Sequence, residues 1–351
     1  VGDYTLTSKN SYDGMIIKYS SEGKVDWARS IGGSSTDQIY SIAEISDGGI
    51  IAGGYFYSSS IQVGDYTLIN SSTDSYDGML IKYSSEGEVK WARSVGGSDN
   101  DYIESVSSAS DGGIIAGGYF HSSEIQIGDY TFTKSGYTTI SGGMIIKYNE
   151  EGEAEWAKII KGNSSVEIQA VIGTSDGGII AGGEFESSSI QLGDYILTNI
   201  GRTYSDGMMI KYSKEGRVEW ARNIGGSNSD KIISVATTND GGVIAGGTFY
   251  SNTLEAGRFN LENKGYGDGL LLKIQANAGV PEIQELTVEN NRKEFKITTN
   301  VKEIDGVKGG SISGEDNNPY ETVKYGDSST KEIIMIPDEN YEIIGITVNG
   351  Q

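Results

Sequence analysis

The residue types able to do chemistry are few and their placement is telling. Among 351 residues there is one histidine, His121, and no cysteine. Thiolate nucleophiles, sulfur-based zinc sites and multi-histidine metal centres are thereby excluded. A Ser-His-Asp triad would have to use His121. That residue stands where related stretches of the same chain carry Tyr57, Glu186 and Tyr250, the pattern of a surface variation and not of a catalyst. No phosphate loop or dinucleotide fingerprint occurs, and Gly310-Ser311-Ile312-Ser313-Gly314 has isoleucine where a nucleophile elbow needs serine.

Carboxylates are plentiful. Asp and Glu number 49 against 27 Lys and Arg, for a net charge of −22. No basic stripe is present, so nucleic acid is not an expected partner. Glycosidase chemistry needs one particular pair of carboxylates, and acids that recur in every repeat single out none. Asp47, Asp111, Asp176 and Asp240 each precede Gly-Gly and read as hairpin-turn residues. Asp13, Asp77, Asp206 and Asp268 precede Gly, and Asp37, Asp101 and Asp230 open a strand. These seven keep calcium open as an alternative, but no EF-hand loop is written, and no cofactor is expected.

The elements that position these residues come from repetition. Asp-Gly-Met-Ile-Ile-Lys-Tyr begins at Asp13 and returns, with small changes, at Asp77, Gly142, Asp206 and Asp268. The lysine of this phrase falls at Lys18, Lys82, Lys147, Lys211 and Lys273, at spacings of 64, 65, 64 and 62. Trp27, Trp91, Trp156 and Trp220 follow it, and then Ser-Asp-Gly-Gly-type turns before Ile-Ile-Ala-Gly-Gly. Each unit reads as four antiparallel strands with tight glycine hairpins and one long linker. No 3.6-residue apolar stripe is present, which excludes helical repeats. With 51 glycines, an all-β fold with many turns follows. No apolar run is long enough to span a membrane as a helix. The text opens inside a repeat and offers no signal-peptide pattern to read.

These words resemble the bacterial β-propeller repeat family, with kelch-like features, on Asp77, Lys82, Tyr83, Gly87, Trp91 and Gly96-Gly97 and their counterparts. The resemblance covers residues 1–277 and implies a β-propeller of four-stranded blades. Pairing the Trp27 strand with the C-terminal strands would close a ring of five; a larger ring and a stacked β-solenoid are the alternatives. Trp27, Trp91, Trp156 and Trp220, with Phe56, Phe120, Phe185 and Phe249, then read as blade-to-blade packing. Residues 280–351 resemble the small B-repeat-like, internalin-type β-domains of Gram-positive surface proteins, with a β-grasp fold expected. That resemblance implies a spacer or stalk and an extracellular location.

The third repeat counted from Asp13 departs from the others. Gly142 and Val166 replace the two recurring aspartates and Lys161-Gly162-Asn163 replaces Gly-Gly-Ser, so the two aspartates are expected to share one local hydrogen-bond arrangement. Positions that vary on a constant scaffold are the candidates for recognition. The long-linker side carries Tyr12, Tyr76, Tyr137, Tyr204 and Tyr266, together with the variable strand ends Tyr55, Tyr57, Tyr119, His121, Glu184, Glu186 and Tyr250. Tyrosine among Ser, Thr, Asn and Gly offers rigid amphipathic contact area beside adaptable hydrogen bonding. The expected function is a non-catalytic surface module for display or adhesion, binding a glycan or protein. A glycan hydrolase and a ligand-free spacer are the alternatives.

Overall fold

A computed structural model describes residues 1–9, 11–133, 140–256 and 259–274, and the backbone of short strands between 283 and 350. All regular elements among the described residues are β-strands. The first two, β1 (Gly14–Tyr19) and β2 (Val25–Ile31), pair only with each other. Unit one comprises β3 (Asp37–Glu44), β4 (Ile50–Phe56), the ribbon β5 (Ser60–Val63) and β6 (Tyr66–Ile69), then β7 (Asp77–Tyr83) and β8 (Val89–Gly97). Unit two repeats this as β9 (Asp101–Ser108), β10 (Ile114–Phe120), β11 (Glu124–Ile127), β12 (Tyr130–Thr133), β13 (Gly142–Tyr148) and β14 (Ala154–Ile160). In unit three the strands are β15 (Val166–Gly173), β16 (Ile179–Phe185), β17 (Ser189–Leu192), β18 (Tyr195–Thr198), β19 (Asp206–Tyr212) and β20 (Val218–Gly226). Unit four has β21 (Asp230–Thr237), β22 (Val243–Phe249), β23 (Thr253–Ala256), β24 (Phe259–Glu262), β25 (Asp268–Ile274) and β26 (Ile283–Glu285).

In every unit the first, second, third and fourth main strands form an antiparallel meander, as in β9-β10-β13-β14. The glycine turns give the reason. Gly48, Gly112, Gly177 and Gly241 all have φ near +80°, a left-handed conformation that costs glycine nothing. The preceding aspartate closes the turn: Gly49 N donates to Asp47 Oδ1 at 2.8 Å, and Gly113 N to Asp111 Oδ1 at 3.1 Å. The third-strand lysine ties this turn down, with Lys147 Nζ 3.0 Å from Asp111 Oδ1 and Lys211 Nζ 2.7 Å from Asp176 Oδ1. Burial opposes ionisation of Asp176, but hydrogen bonds from Lys211, Thr174 and Gly178 hold its carboxyl down to about 2.

Successive units pack face to face, with β3 against β9, β9 against β15 and β15 against β21. The approach is close because the second strands carry glycine there. A Cβ on Gly53 would lie 2.6 Å from Val106 Cγ1, and one on Gly117 would lie 2.5 Å from Val171 Cγ1. Trp27, Trp91 and Trp156 each reach into the next unit. Trp91 packs on Tyr148 with ring centroids 6.2 Å apart, and its Nε1 donates to Glu150 O at 3.0 Å. Phe56, Phe120, Phe185 and Phe249 are fully buried.

The N-terminal pair departs from expectation. Neither β1 nor β2 joins the C-terminal strands, because β25 already has β22 and β26 as neighbours. The chain therefore presents half a unit followed by four units, and no sheet among the described residues closes a ring. Tyr19 is 54% exposed, whereas its counterpart Tyr83, stacked on Trp27, is 1% exposed. The repeat sheet extends beyond residue 277, since Ile274 pairs with Ile283. Further along lie β27 (Glu294–Thr299), β28 (Glu303–Ile304), β29 (Val307–Lys308), β30 (Gly310–Ser313), β31 (Tyr320–Lys324), β32 (Ile334–Pro337) and β33 (Ile346–Gly350). Of these, β27 pairs with both β31 and β33.

Candidate functional site

Register defines which residues can meet. Phe56 lies opposite Asp37 on one side and Asp77 on the other, so first-strand starts, second-strand ends and third-strand starts share one end of each sheet. The glycine hairpins occupy the opposite end. The long linkers therefore share their end with the variable strand ends.

Two systems occupy that end. The first is constant. Asp101 Oδ2 accepts from Gly97 N at 2.7 Å and from Ser122 Oγ at 2.7 Å, while Oδ1 accepts from His121 N and Ser122 N, both at 3.2 Å. Asp37 uses Gly33 N, Ser58 Oγ, Tyr57 N and Ser58 N in the same way. Asp230 receives Ser251 Oγ, Tyr250 N and Ser251 N. The other recurring aspartate abuts this arrangement: a Cβ on Gly96 would lie 2.3 Å from Asp77 Oδ1, and Gly97 is already Asp101's donor. The third-strand aspartate of one unit thus meets the first-strand aspartate of the next across the double glycine. At the junction of units two and three, Gly142 and Val166 stand in place of both, and there Ser187 Oγ donates to Ser164 O at 2.7 Å. Burial pushes the Asp101 carboxyl up to about 7, against the hydrogen bonds from Ser122, with neighbouring Asp77 adding to the rise. These carboxylates point at N–H donors, and no group of three or more acidic or histidine side chains able to hold a metal ion occurs among the described residues.

The second system is variable and aromatic. Tyr40, Tyr55, Tyr57, Tyr76, Tyr102, Tyr119 and His121 form one connected array of rings across units one and two, with centroid separations between 4.9 and 6.4 Å. Tyr55 is the hub, edge-on to both Tyr76 and Tyr102, and its hydroxyl donates to the Tyr40 hydroxyl at 3.0 Å. Such pairs add a modest attraction beyond area burial. All seven rings retain solvent-facing surface. Burial, with the neighbouring Tyr76 and Asp101, pushes the Tyr102 phenol up to about 12, so its hydroxyl is a neutral donor at physiological pH.

Glutamates adjoin the array toward unit three. Glu104 shares its electrostatic surroundings with Tyr55, Tyr102, Tyr119 and Glu167. Burial pushes the Glu104 carboxyl up. Burial, then the charge of Glu184, does the same to Glu167, which accepts from Ser141 Oγ at 3.2 Å and Gln169 Nε2 at 3.2 Å. Glu186 accepts from Ser164 Oγ at 3.2 Å.

Of the candidates read from the sequence, Tyr55, Tyr57, Tyr76, Tyr119 and His121 come together, and Glu184 and Glu186 lie electrostatically beside Glu167. Tyr250 and Tyr266 form a separate pair at 5.6 Å. Tyr12, Tyr204 and Tyr266 are outside the array and 76%, 48% and 93% exposed. Their positions explain it. Tyr76 immediately precedes the third strand, whereas Tyr204 and Tyr266 lie one residue earlier; Tyr12 precedes β1, which pairs with β2 alone. Tyr137 lies outside the described residues.

Tyr40, Tyr102, Glu104 and Glu167 were missed because first strands read as core. The signal was present: Gln38, Tyr102, Glu167 and Lys231 occupy one position, and Tyr40, Glu104, Gln169 and Ile233 another. Both vary around the constant Ile39, Ile103, Ile168 and Ile232.

No family model matches this chain, and no curated protein matches it. Among solved structures it is similar to a protein of unknown function from Bacteroides caccae, at 10% identity and a TM-score of 0.36, over 95% of this chain and 97% of that one. At that score the likeness carries no argument.

Proposed function

We propose that the repeat region is a non-catalytic recognition module, arranged as blades of a β-propeller, that binds a glycan or protein for display or adhesion at a cell surface. The single observation behind this reading is the connected array of six tyrosines and His121 at the end of the units where the scaffold varies. A packing role alone would place these rings in the core, as it does for Phe56 and Phe120. Instead all seven residues keep part of their surface in solvent, while the constant Asp37, Asp101 and Asp230 take their hydrogen bonds from inside the fold. The propeller arrangement is supported by the succession of first strands, each packed on the next. The surface location rests on the C-terminal resemblance to stalk domains.

A second reading has its own observation. Glu104, Glu167 and Glu184 are non-repeated acids close enough to perturb one another, directly or through Glu167, and burial raises two of them. A carboxyl whose ionisation is opposed by burial, with a second carboxyl near it, is the kind of pair that glycoside hydrolysis uses. Release of reducing sugar from a polysaccharide panel, abolished by Glu104→Gln, would establish that reading instead. Glycan-array and cell-binding screens with the 351-residue chain test the first. The expected result is a ligand that Tyr102→Ala no longer retains; a ligand retained by Tyr102→Ala and lost on altering the Asp111 or Asp176 turns would reverse the face assignment.

A further inference from the structure

We propose that Tyr40 and Tyr55 are a site of oxidative modification, where a peroxidase with hydrogen peroxide couples them into a dityrosine bond between β3 and β4. The Tyr55 hydroxyl donates to the Tyr40 hydroxyl at 3.0 Å, and the ring centroids lie 5.0 Å apart at an interplanar angle of 34°. Dityrosine joins two rings through the carbons beside their hydroxyls, so the hydroxyls of the product are close neighbours. This pair already holds them so. Tyr76 and Tyr102 stand as near to Tyr55, at 5.0 and 4.9 Å, but almost perpendicular to it, at 78° and 90°. Among the described residues, no other tyrosine pair shares a hydroxyl-to-hydroxyl hydrogen bond.

The backbone sets this geometry. Tyr40 is the extra residue of a β-bulge: Ile39 faces Gly54 and Ser41 faces Gly53, which leaves Tyr40 no partner of its own. A bulge bends its strand and re-aims the side chain it carries, and here the ring meets Tyr55, which lies opposite Gln38. The bulge recurs at Glu104, Gln169 and Ile233, with Tyr119, Glu184 and Thr248 at the position of Tyr55. Of the four units, unit one alone has tyrosine at both positions. Its first strand is also poorly covered, since Ile42 is 59% exposed against 5% for its counterpart Val106. The bond fastens that strand to its neighbour.

Tyr40 is 52% exposed and so open to an oxidant in solvent, while Tyr55 is half-buried beside it. Each ring gives up one electron and its phenolic proton and becomes a phenoxyl radical. The radicals pair in a single carbon–carbon bond between a Cε of each ring. The hydrogen on each bonded carbon then moves to the oxygen of its own ring and restores both phenols. The net loss is two electrons and two protons, which reduce one hydrogen peroxide to two waters.

The test is treatment of the 351-residue chain with a haem peroxidase and hydrogen peroxide, beside free tyrosine as a control for the oxidant. The expected product is a monomer lighter by two hydrogens, with dityrosine fluorescence. After denaturation and cleavage at Glu44, which lies between the two tyrosines, the fragments carrying Tyr40 and Tyr55 should remain joined. Tyr40→Phe and Tyr55→Phe keep the rings and should each abolish that product, whereas Tyr102→Phe should leave it intact. Coupling that survives Tyr55→Phe, or that maps to Tyr102 and Tyr119, overturns the proposal. So does coupling confined to dimers through the exposed Tyr12 or Tyr266, or an uncoupled chain under conditions that consume free tyrosine.

Discussion

Asp101 and Tyr102 are neighbours in β9, yet they serve opposite ends. The Asp101 carboxylate is fully buried and accepts four hydrogen bonds from its own unit and the preceding turn. The Tyr102 ring faces three other tyrosines and His121 and keeps part of its surface in water. One residue repeats in units one, two and four; the other is Gln38, Glu167 or Lys231 elsewhere. The difference teaches how a repeat protein acquires a site. Residues such as Asp101 that hold the unit together take their hydrogen bonds from inside the fold and recur, and the positions beside them are free to change. Two adjacent units changed toward tyrosine, and the next changed toward glutamate.

The largest effect should come from the constant side. Phe120 is fully buried in the core shared by units one and two, and Phe120→Ala should destabilise the chain by about 3–5 kcal/mol, read as a lowered midpoint in urea unfolding. Replacing Tyr102 by Ala should cost less, because the space it leaves opens to solvent and is not a closed cavity. A comparable loss for both would erase the distinction drawn between core and surface rings.

Next in size is the aspartate arrangement. Asp101→Ala leaves the Gly97 amide and the Ser122 amide without their Asp101 acceptor in a buried site, while Ser122 Oγ keeps Asp99 O at 3.3 Å. The cost should be about 1–3 kcal/mol, measurable by the same unfolding. Unit three sharpens the comparison, because Val166 occupies the matching position and Ser187 has turned to Ser164 O. There, substitution of Val166 by Ala should register only as lost packing.

A smaller, graded effect lies in pH. Burial raises Asp101 to about 7 and Asp230 to about 6, above the ordinary carboxyl value of about 4. The folded state therefore holds more protons than the unfolded state between roughly pH 4 and pH 7, and stability falls as pH rises through that window. Thermal midpoints taken across it should decline, and Asp101→Asn should flatten the decline. A midpoint rising with pH would mean that the N–H donors dominate burial at these sites.

The amino-acid text made the units legible because a fourfold repetition of Lys, Trp and Asp-Gly-Gly averages out local ambiguity. Linker tyrosines were harder. Whether Tyr76 or Tyr204 joins an array depends on one residue of spacing before the third strand, and the neighbours it would meet come from strands some twenty residues away or more. The pairing of β25 with β22 and β26 was not readable either, since the fourth strand of unit four, Ile283–Glu285, carries no tryptophan to announce it. Tyr102 was obscured by the alternation itself, which assigns a strand one core face and says nothing of what the other face meets.

The central claim, that the array is a working surface and not packing, comes down to one comparison on one variant. Tyr102→Ala should be screened against the glycan and cell panel alongside the unaltered chain, with thermal unfolding of both recorded in parallel. The account predicts unfolding midpoints that nearly coincide and a ligand signal that disappears. A ligand signal retained in full by Tyr102→Ala, or a collapse of its thermal midpoint, would contradict it.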